Sequence, residues 1–333
     1  MKKISSMILC LLMMVGILAG CGSSNSASTN SDTAATEDKL SIVTTIFPEY
    51  DWVKEILGSH TDDVDLTMLL DNGVDLHSYQ PTADDIIKIS TCDMFIYVGG
   101  ESDGWVEDTL KEATNKDMVV INLLDVLGDT VKEEEVKEGM EAEEEEEGGE
   151  EEEEPEYDEH VWLSLKNAET LCSYISDKLC TIDEKNAKDY QSNTNNYVSE
   201  LAALDDEYAQ SVESSRVKTV LFGDRFPFRY IVDDYGLDYY AAFVGCSAET
   251  EASFETIAFL AGKVDELGLS SVLTIEGTEH KIAETIIQNT KDKNQQIVTM
   301  DSMQSTTSKD ATSGTTYLSV MTANLDALKA ALN

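Results

Sequence analysis

Strand-like segments alternate with segments of helical periodicity along most of this chain, and this alternation limits its fold more than any other feature. The first series of apolar, β-branched strands is predicted at Leu40–Ile46, Val64–Leu70, Met94–Val98 and Met118–Ile121. The second series is predicted at Val217–Phe222, Asp238–Phe243, Val272–Glu276 and Gln296–Met300. Regular alternation of strand and helix favours parallel sheets flanked by helices.

One long helical stretch separates the two series of strands. Residues 183–214 keep apolar side chains at helical spacing over a length that suffices to connect two lobes. The sequence therefore predicts an α/β fold in which two βα lobes, each with a mostly parallel four-stranded sheet, are joined by a long linking helix. We place the N-terminal lobe at residues 40–182, the linking helix at 183–215 and the C-terminal lobe at 216–333.

The N-terminus is a targeting segment that takes no part in the fold. Lys2 and Lys3 precede an apolar run, and Leu18-Ala19-Gly20-Cys21 matches the bacterial lipoprotein signal, in which cleavage leaves the cysteine lipidated. We therefore predict a signal peptide over residues 1–20 and a flexible lipid-anchored tether over 21–39. A plain secretory signal is the alternative. The mature protein is expected outside the cytoplasm, anchored to the outer face of the bacterial cell membrane.

The chain carries a formal net charge of −43, from 66 acidic and 23 basic side chains. Such a surface repels nucleic acid and anionic lipid, and it attracts cations. Part of the excess is local, because residues 133–159 contain 18 acidic side chains and one lysine. A glutamate run cannot bury apolar surface and repels itself. Residues 132–157 are therefore predicted to form a disordered insertion in the N-terminal lobe.

Four cysteines follow the tether, at Cys92, Cys172, Cys180 and Cys246. Cys172 and Cys180 lie on one predicted helix, about 12 Å apart along its axis, which is too far for a disulfide. A disulfide between distant segments, such as Cys92 with Cys172, is compatible with export, and the pairing stays open. Because no CxxC pair occurs, a zinc site built from thiolates is not expected.

Candidate metal ligands follow the predicted strands, where parallel sheets form their ligand crevices. His77 lies in the loop after the second strand, whereas Glu276 ends one C-terminal strand and Asp301 directly follows another. His160 stands where the acidic run changes to an apolar Val-Trp-Leu segment. Two imidazoles from one lobe and two carboxylates from the other form an N2O2 set suited to zinc or manganese.

Four segments carry a family resemblance: Thr44–Tyr50, Gly73–Thr82, Asp158–Leu163 and Tyr317–Asp326. They resemble the zinc/manganese substrate-binding lipoproteins of ABC importers, and the similarity covers essentially the whole mature chain. The resemblance implies that His77 and His160 are the first two ligands and Asp301 the last. It also implies Zn²⁺ or Mn²⁺ as the bound ion, and a permease with its ATPase as partners.

The third ligand position departs from this family pattern. Aligned on Tyr235-Gly236-Leu237, the residue where the family has histidine or glutamate is Arg225, and a protonated guanidinium has no lone pair for a metal. Either water completes the site or a carboxylate substitutes, with Glu276 as our choice and Asp224 next. Arg225 then neutralises or orients an acidic ligand without contacting the metal. Glu276 as an ion-pair partner of Arg225 is the alternative.

The two remaining histidines are assigned no ligand role. A single loop histidine is more often a surface or packing residue than a ligand, and this applies to His60 and His280. His280 lies four residues after Glu276 and stays an alternative ligand, although a position at the start of a helix fits it better.

Together these features predict an extracytoplasmic receptor that captures a divalent transition metal between its lobes, zinc first and manganese next. We expect it to deliver the ion to an ABC importer permease, as a monomer without nucleic-acid partners. Two alternatives stay open: a metal-dependent hydrolase that uses the same ligands, and a surface adhesin whose glutamate-rich segment buffers cations. The chain has no HExxH, GxSxG or Walker-type signature, which disfavours an enzyme.

Overall fold

Two parallel four-stranded sheets form the framework of the molecule. The computed structural model describes residues 39–141, 156–247, 251–277 and 279–333. The first sheet has the order β2-β1-β3-β4 and consists of β1 (Leu40–Thr44), β2 (Val64–Met68), β3 (Met94–Tyr97) and β4 (Val119–Asn122). The second has the order β6-β5-β7-β8 and consists of β5 (Thr219–Phe226), β6 (Asp238–Val244), β7 (Ser271–Thr274) and β8 (Gln296–Thr299). All the strand pairs are parallel, so the predicted α/β fold with two βα lobes is confirmed.

Helices connect and flank the strands in both lobes. In the first half of the chain they are α1 (Phe47–Leu57), α2 (Ala83–Thr91), α3 (Val106–Lys111), α4 (Leu123–Leu127), α5 (Leu165–Ile182) and α6 (Ala187–Ser214). In the second half they are α7 (Arg229–Tyr235), α8 (Phe254–Leu267), α9 (Lys281–Asn289), α10 (Ser308–Thr312) and α11 (Tyr317–Leu332). The sequence did not predict α4 and α10, because five residues are too few to show helical periodicity. In the part of the chain that the structure describes, no helix has both the length and the apolar composition of a membrane span.

The long helix α6 is the connection between the two sheets. It begins at Ala187, four residues later than predicted, and runs for 28 residues. Its predicted apolar face is buried, and it consists of Tyr190, Tyr197, Leu201, Leu204, Tyr208 and Val212. This face packs against α1 and α5 on one side and against α11 and α7 on the other, so α6 contacts elements of both lobes.

Strand β5 is longer than the sequence predicted. It continues past Phe222, where the predicted strand ends, to Phe226, and its register shifts between Phe222 and Arg225. Gly223 lies so close to α9 that an added Cβ would be 2.6 Å from the Cα of Ala283. The irregular strand end therefore depends on tertiary packing, and it keeps Arg225 within the sheet beside the following strand β6.

The glutamate-rich segment is held at both ends. Its contacts are a β-bridge of Glu133 with Tyr157, a β-bridge of Glu141 with Phe243 and an ion pair of Lys137 with Asp238 at 2.6 Å. The prediction of disorder is therefore wrong for residues 132–141 and 156–157, because these flanks bond to each other and to the C-terminal lobe. The central residues 142–155 lie outside the described residues, as do the predicted signal peptide, Cys21 and the tether up to residue 38.

The four cysteines of the described residues are free thiols. Cys172 and Cys180 both lie on α5, which confirms the helix predicted for them. Cys92 and Cys172 are buried but unpaired, so the disulfide considered between them does not form.

A buried carboxyl group joins the first and the last helix. Asp51 on α1 accepts a 2.7 Å hydrogen bond from the backbone N–H of Tyr317, the first residue of α11. The neighbouring Trp52 ring packs edge-on against the Tyr317 ring, with 5.3 Å between centroids. Burial raises the pKa of Asp51 to about 6, although the hydrogen bond from Tyr317 favours the ionised form.

This raised pKa gives a pH dependence of stability. The unfolded chain protonates Asp51 near pH 3.9, so the folded state binds an extra proton between about pH 4 and 6. Because the folded pKa is the higher one, this stabilisation is present at low pH and is lost as the pH rises through 6. Between pH 4 and 7, the Asp51 carboxyl should lower the unfolding free energy of the wild type by about 2–3 kcal/mol. We expect Asp51→Asn to lack this decrease.

Urea unfolding of the metal-free protein across this pH range measures the effect. The control is Asp117→Asn, because Asp117 is exposed and should leave the pH profile of the wild type unchanged. Identical pH profiles for Asp51→Asn and the wild type would contradict the assignment.

Candidate metal centre

Two histidine side chains from separate loops meet at the junction of the lobes. His77 lies in a single 3-10 turn, Leu76–Ser78, where the Asp75 side chain accepts a 3.0 Å hydrogen bond from its backbone N–H. His160 is completely buried and directly precedes the turn Val161–Leu163. The two Nε2 atoms are 3.2 Å apart. The predicted pairing of these two histidines is therefore present in the fold.

The other ring nitrogens determine which atoms of the two imidazoles are free. His160 Nδ1 lies 3.0 Å from Asp158 Oδ1, and His77 Nδ1 lies 2.8 Å from Ser102 Oγ and 3.5 Å from Glu159 Oε2. A carboxylate only accepts hydrogen bonds, so these contacts favour a proton on each Nδ1 and leave the lone pair on each Nε2. Metal-binding histidines in proteins have this arrangement.

Close packing fixes the His160 ring. It contacts the Trp162 ring at 5.2 Å between centroids, and Trp162 Nε1 donates a 2.9 Å hydrogen bond to the backbone oxygen of Ser302. On another side lies Gly245, where an added Cβ would be 2.9 Å from His160 Cε1 and 3.0 Å from the Phe226 oxygen. Residue 245 therefore has no room for a side chain while His160 keeps this position.

A cysteine completes a set of three side chains that could hold a metal ion. Cys246 follows Gly245 at the end of β6, and it is partly buried. The ligand atoms of His77, His160 and Cys246 all lie within 4.8 Å of one another. Among the described histidine, cysteine, aspartate and glutamate residues, this is the one set of three or more with that property.

The predicted carboxylates lie together but outside this set. Both oxygens of Glu276 accept 2.7 Å hydrogen bonds from Ser302, one from its backbone N–H and one from its hydroxyl. Asp301 Oδ1 accepts a 2.7 Å hydrogen bond from the N–H of Met303, whose backbone adopts a positive φ of 65°. Burial and the nearby charge of Glu276 raise the pKa of Asp301 to about 6. This pair of carboxyl groups thus forms a local excess of negative charge.

A short segment connects the carboxylate pair with the histidine pair. Gln304 is buried, and its Nε2 lies 3.4 Å from His160 Nε2 and 3.3 Å from the Ser302 hydroxyl, which is bonded to Glu276. Residues 301–304 therefore run from Asp301 to the imidazole of His160. The Oε1 atom of Gln304 has no hydrogen-bond partner among the described residues.

Arg225 spans the cleft and reaches a carboxylate beside the histidine pair, because Asp75 Oδ1 lies 3.9 Å from His77 Nε2. Its guanidinium forms an ion pair with Asp75, so it pairs with neither Glu276 nor Asp224. Burial alone would raise the pKa of Asp75, but the charge of Arg225 and the contacts with His77 keep it below the usual value. The alternative of an ion pair between Arg225 and Glu276 is wrong, because the ion-pair partner is Asp75 of the opposite lobe. The charge of Arg225 also acts on the Asp224 carboxyl, so a role of Arg225 beside an acidic ligand stays a prediction.

Asp224 lies beside Arg225, whose charge opposes the effect of burial on the Asp224 pKa. Its two oxygens accept hydrogen bonds from the N–H groups of Arg225 (3.0 Å) and Ile275 (3.3 Å), and burial raises its pKa. The structure does not bring Asp224 into the set with the histidines.

A solvent-accessible cleft of about 620 Å³ opens next to this centre. Residues of both lobes line it, among them Asp75, Asp224, Arg225, Glu251, Glu279 and His280. The lining has four acidic side chains against two basic ones, Arg225 and Lys281, so the entrance attracts cations more than anions.

Three further carboxyl groups, Asp103, Glu49 and Glu159, are buried near one another, and Glu159 contacts His77. Burial raises the pKa of Asp103 to about 7, and the nearby Glu159 adds to this effect, while burial and Asp103 also raise the pKa of Glu49. Burial acts in the same direction on Glu159, but hydrogen bonds from His77 and Ser102 lower its pKa below the usual value. Glu159 is therefore the ionised carboxylate that supports the imidazole of His77.

The other two histidines lie outside the centre. His60 bonds to Asp189 on α6 at 3.0 Å, and His280 precedes the first residue of α9. These positions agree with the packing and helix-start roles that the sequence predicted for them.

Sequence reasoning missed Cys246, Ser102 and Gln304. A signal was available for Cys246, since it follows strand β6 as closely as Asp301 follows β8. No pattern in the sequence indicates Ser102 or Gln304, because both reach the imidazoles through tertiary packing alone.

Known proteins resemble this chain over most of its length. The family model described as "ZnuA: Zinc-uptake complex component A periplasmic" matches residues 42–331. The high-affinity zinc uptake system protein ZnuA of Bacillus subtilis is 30% identical over 317 residues, which are 95% of this chain and 94% of that protein. The zinc-binding lipoprotein AdcA of Streptococcus pneumoniae is 30% identical over 331 residues, 99% of this chain and 61% of that protein.

Other relatives are longer than this chain. Zinc-binding AdcA proteins of Streptococcus pyogenes match at 27% identity over 88% of this chain, which spans only 56% of their length.

Solved structures share the fold. The Zn(II)-bound ZnuA-like domain of Streptococcus pneumoniae AdcA superimposes with a TM-score of 0.68 at 27% identity, covering 88% of this chain and 99% of that domain. The metal-dependent lipoprotein YcdH of Bacillus subtilis gives a TM-score of 0.71 at 25% identity, covering 89% of this chain and 100% of that protein. With the family model matched over residues 42–331, the chain belongs to the ZnuA family of zinc-uptake complex components.

Proposed function

We propose that this chain is an extracytoplasmic solute-binding lipoprotein. It captures a divalent transition metal, zinc first and manganese next, in the cleft between its lobes and delivers the ion to an ABC importer permease. The names of its relatives support this proposal, because they include a zinc uptake protein and zinc-binding lipoproteins. The zinc-bound state of the similar AdcA domain supports zinc as the cargo.

The facing Nε2 atoms of His77 and His160 carry this proposal. Two unprotonated imidazole nitrogens 3.2 Å apart repel each other unless a cation lies between them. A tetrahedral zinc ion with bonds of 2.0–2.1 Å holds two nitrogens about 3.3 Å apart. The observed separation thus matches what a bound zinc ion requires.

The C-terminal lobe contributes the carboxylate charge of the proposed site. Asp301 begins the segment that reaches His160 through Gln304, and we assign it as the oxygen ligand. Glu276 has both oxygens bonded to Ser302, so it orients this segment more readily than it reaches the metal. A cation also relieves the repulsion between the two carboxyl groups.

Release to a permease requires that the cleft can open. The ion pair between Arg225 and Asp75 joins the lobes at the entrance, and it can break without disturbing either sheet. We propose residues 40–182 and 216–333 as the two walls of the cleft and α6 as their connection. Relative movement of the walls then exposes the ion.

The remaining features of the proposal concern location and partners. Lipidation of Cys21 anchors the mature chain to the outer face of the cell membrane. The chain acts there as a monomer, and it delivers its ion to a permease that is coupled to an ATPase. The family consists of components of uptake complexes, which supports a transport role without catalysis in place of the metal-dependent hydrolase.

Substitution of the histidines tests the site. We expect His77→Ala to lower zinc affinity by at least about 100-fold, because removing a ligand costs more than the 10–100-fold loss caused by removing a partner of a ligand. His160→Ala should have a similar effect. Competition titration with a chromogenic chelator measures both affinities.

The matched control is His60→Ala, because His60 contacts Asp63 and Asp189 far from the paired imidazoles. It should bind zinc as the wild type does. Circular dichroism verifies the fold of each variant, and His77→Ala is decisive because His77 is only partly buried. Zinc affinity that stays unchanged in folded His77→Ala would place the site elsewhere.

Deletion of the glutamate run separates a receptor from a cation-buffering adhesin. The deletion should cover residues 142–155 only, replaced by a short Gly-Ser linker, because Glu133, Glu141 and Tyr157 form β-bridges. Tight binding of one zinc ion per chain should survive, since carboxylate oxygens suit magnesium, calcium and manganese better than zinc. Isothermal titration calorimetry measures the stoichiometry, and loss of the tight site would favour the adhesin.

A further inference from the structure

We propose that Cys246 supplies the third metal ligand, as a thiolate. This inference rests on the proposed function and deepens it, because a thiolate determines which metals the site selects. It also revises the expectation that a chain without a CxxC pair has no thiolate ligand for zinc. One thiolate next to two imidazoles needs no second cysteine in the sequence neighbourhood, because the fold brings the three groups together.

The local structure explains how the thiol reaches the histidines. Strand β6 ends at Val244, and the backbone of Gly245 lies directly against the His160 ring. The next residue, Cys246, is therefore adjacent to the imidazole, and its N–H donates a 3.3 Å hydrogen bond to Glu134 Oε1. This bond connects the end of β6 to the ordered flank of the glutamate-rich segment.

The position of Arg225 is consistent with a ligand from Cys246. Arg225 occupies the family's ligand position on β5, where Phe243 of β6 is its neighbour in the sheet. Its guanidinium extends across the cleft to Asp75, whose Oδ1 lies 3.9 Å from His77 Nε2, and a guanidinium itself cannot bind the metal. Arg225 cannot serve as the ligand on β5, and Cys246, three residues after Phe243 of β6, takes over that role.

Distances allow coordination after a small movement. Zinc bonds of about 2.3 Å to sulfur and 2.0–2.1 Å to nitrogen place these atoms about 3.5 Å apart in a tetrahedral site. The three ligand atoms already lie within 4.8 Å of one another. Asp301 as the fourth ligand gives two neutral imidazoles, a thiolate and a carboxylate, whose charge balances that of Zn²⁺.

The chemistry of this set favours zinc over manganese. Thiolate is a soft ligand that suits zinc, whereas manganese prefers carboxylate, carbonyl and water oxygens. On binding, the sulfur–metal bond forms as the thiol proton leaves for solvent, and no electron is transferred. A cysteine that only fills space would bind no metal and would not affect this preference.

Cobalt spectroscopy tests the ligand directly. The wild type, Cys246→Ser and the control Cys180→Ser are each loaded with Co²⁺. Cys180 suits the control because it is also a free, partly buried thiol, but it lies on α5 beside the Ala187 oxygen. We expect thiolate-to-cobalt charge-transfer absorption in the wild type and in Cys180→Ser, and its loss in Cys246→Ser. Absence of this absorption in the wild type would overturn the proposal.

Metal competition provides a second readout. Cys246→Ser should lower zinc affinity by at least about 100-fold, as expected for a lost ligand, and should lower manganese affinity much less. If Cys246→Ser keeps the wild-type zinc affinity while His77→Ala loses it, the thiolate ligand is wrong and the metal-receptor function stands. If neither variant changes zinc binding, the proposed function fails with it.

Thiol labelling of the wild type avoids any variant that fails to fold. Iodoacetamide labelling with mass-spectrometric mapping compares the zinc-free and zinc-loaded protein. Zinc should protect Cys246 and leave the labelling of Cys180 unchanged. Equal labelling of Cys246 with and without zinc would overturn the proposal.

Discussion

The contact between His77 and His160 is the constraint on which the site depends. Each imidazole is oriented through Nδ1, by Asp158 in one case and by Ser102 with Glu159 in the other. These partners orient the two Nε2 lone pairs towards each other across 3.2 Å. A cation between the two nitrogens stabilises this geometry, and removal of the cation destabilises it. Much of the surrounding structure serves to keep this unfavourable pair in place, including the buried Trp162 beside the His160 ring.

Contacts across the lobes link this pair to the cleft. Trp162 donates to the Ser302 oxygen, and its own backbone oxygen accepts a 2.6 Å hydrogen bond from the Tyr317 hydroxyl. His160 is thus held by the C-terminal lobe although it belongs to the N-terminal one. At the entrance, Arg225 pairs with Asp75, the residue that caps the turn of His77. Movement of the lobes would therefore change the surroundings of both imidazoles together.

The sequence predicted the fold well, since strand and helix periodicity are local properties. It also predicted that His77 and His160 lie together, because their motifs are distinctive; their role as metal ligands stays a prediction. The proposed third ligand was not predictable by the same means: β5 extends to Phe226, with α9 packed closely against Gly223, and this extension places Arg225 beside β6. The local signal for Cys246 is only its position after β6, and its proximity to the imidazoles depends on the pairing of β5 with β6. Such tertiary effects leave no periodic signal in the chain.

The most direct measurement is a crystal structure of the zinc-loaded mature protein with anomalous diffraction at the zinc edge. We expect one strong anomalous peak between the two imidazoles, with His77 Nε2 and His160 Nε2 each about 2.0–2.1 Å from it. A strong peak elsewhere, or no peak while the two Nε2 atoms stay in contact, would contradict a metal centre at this histidine pair.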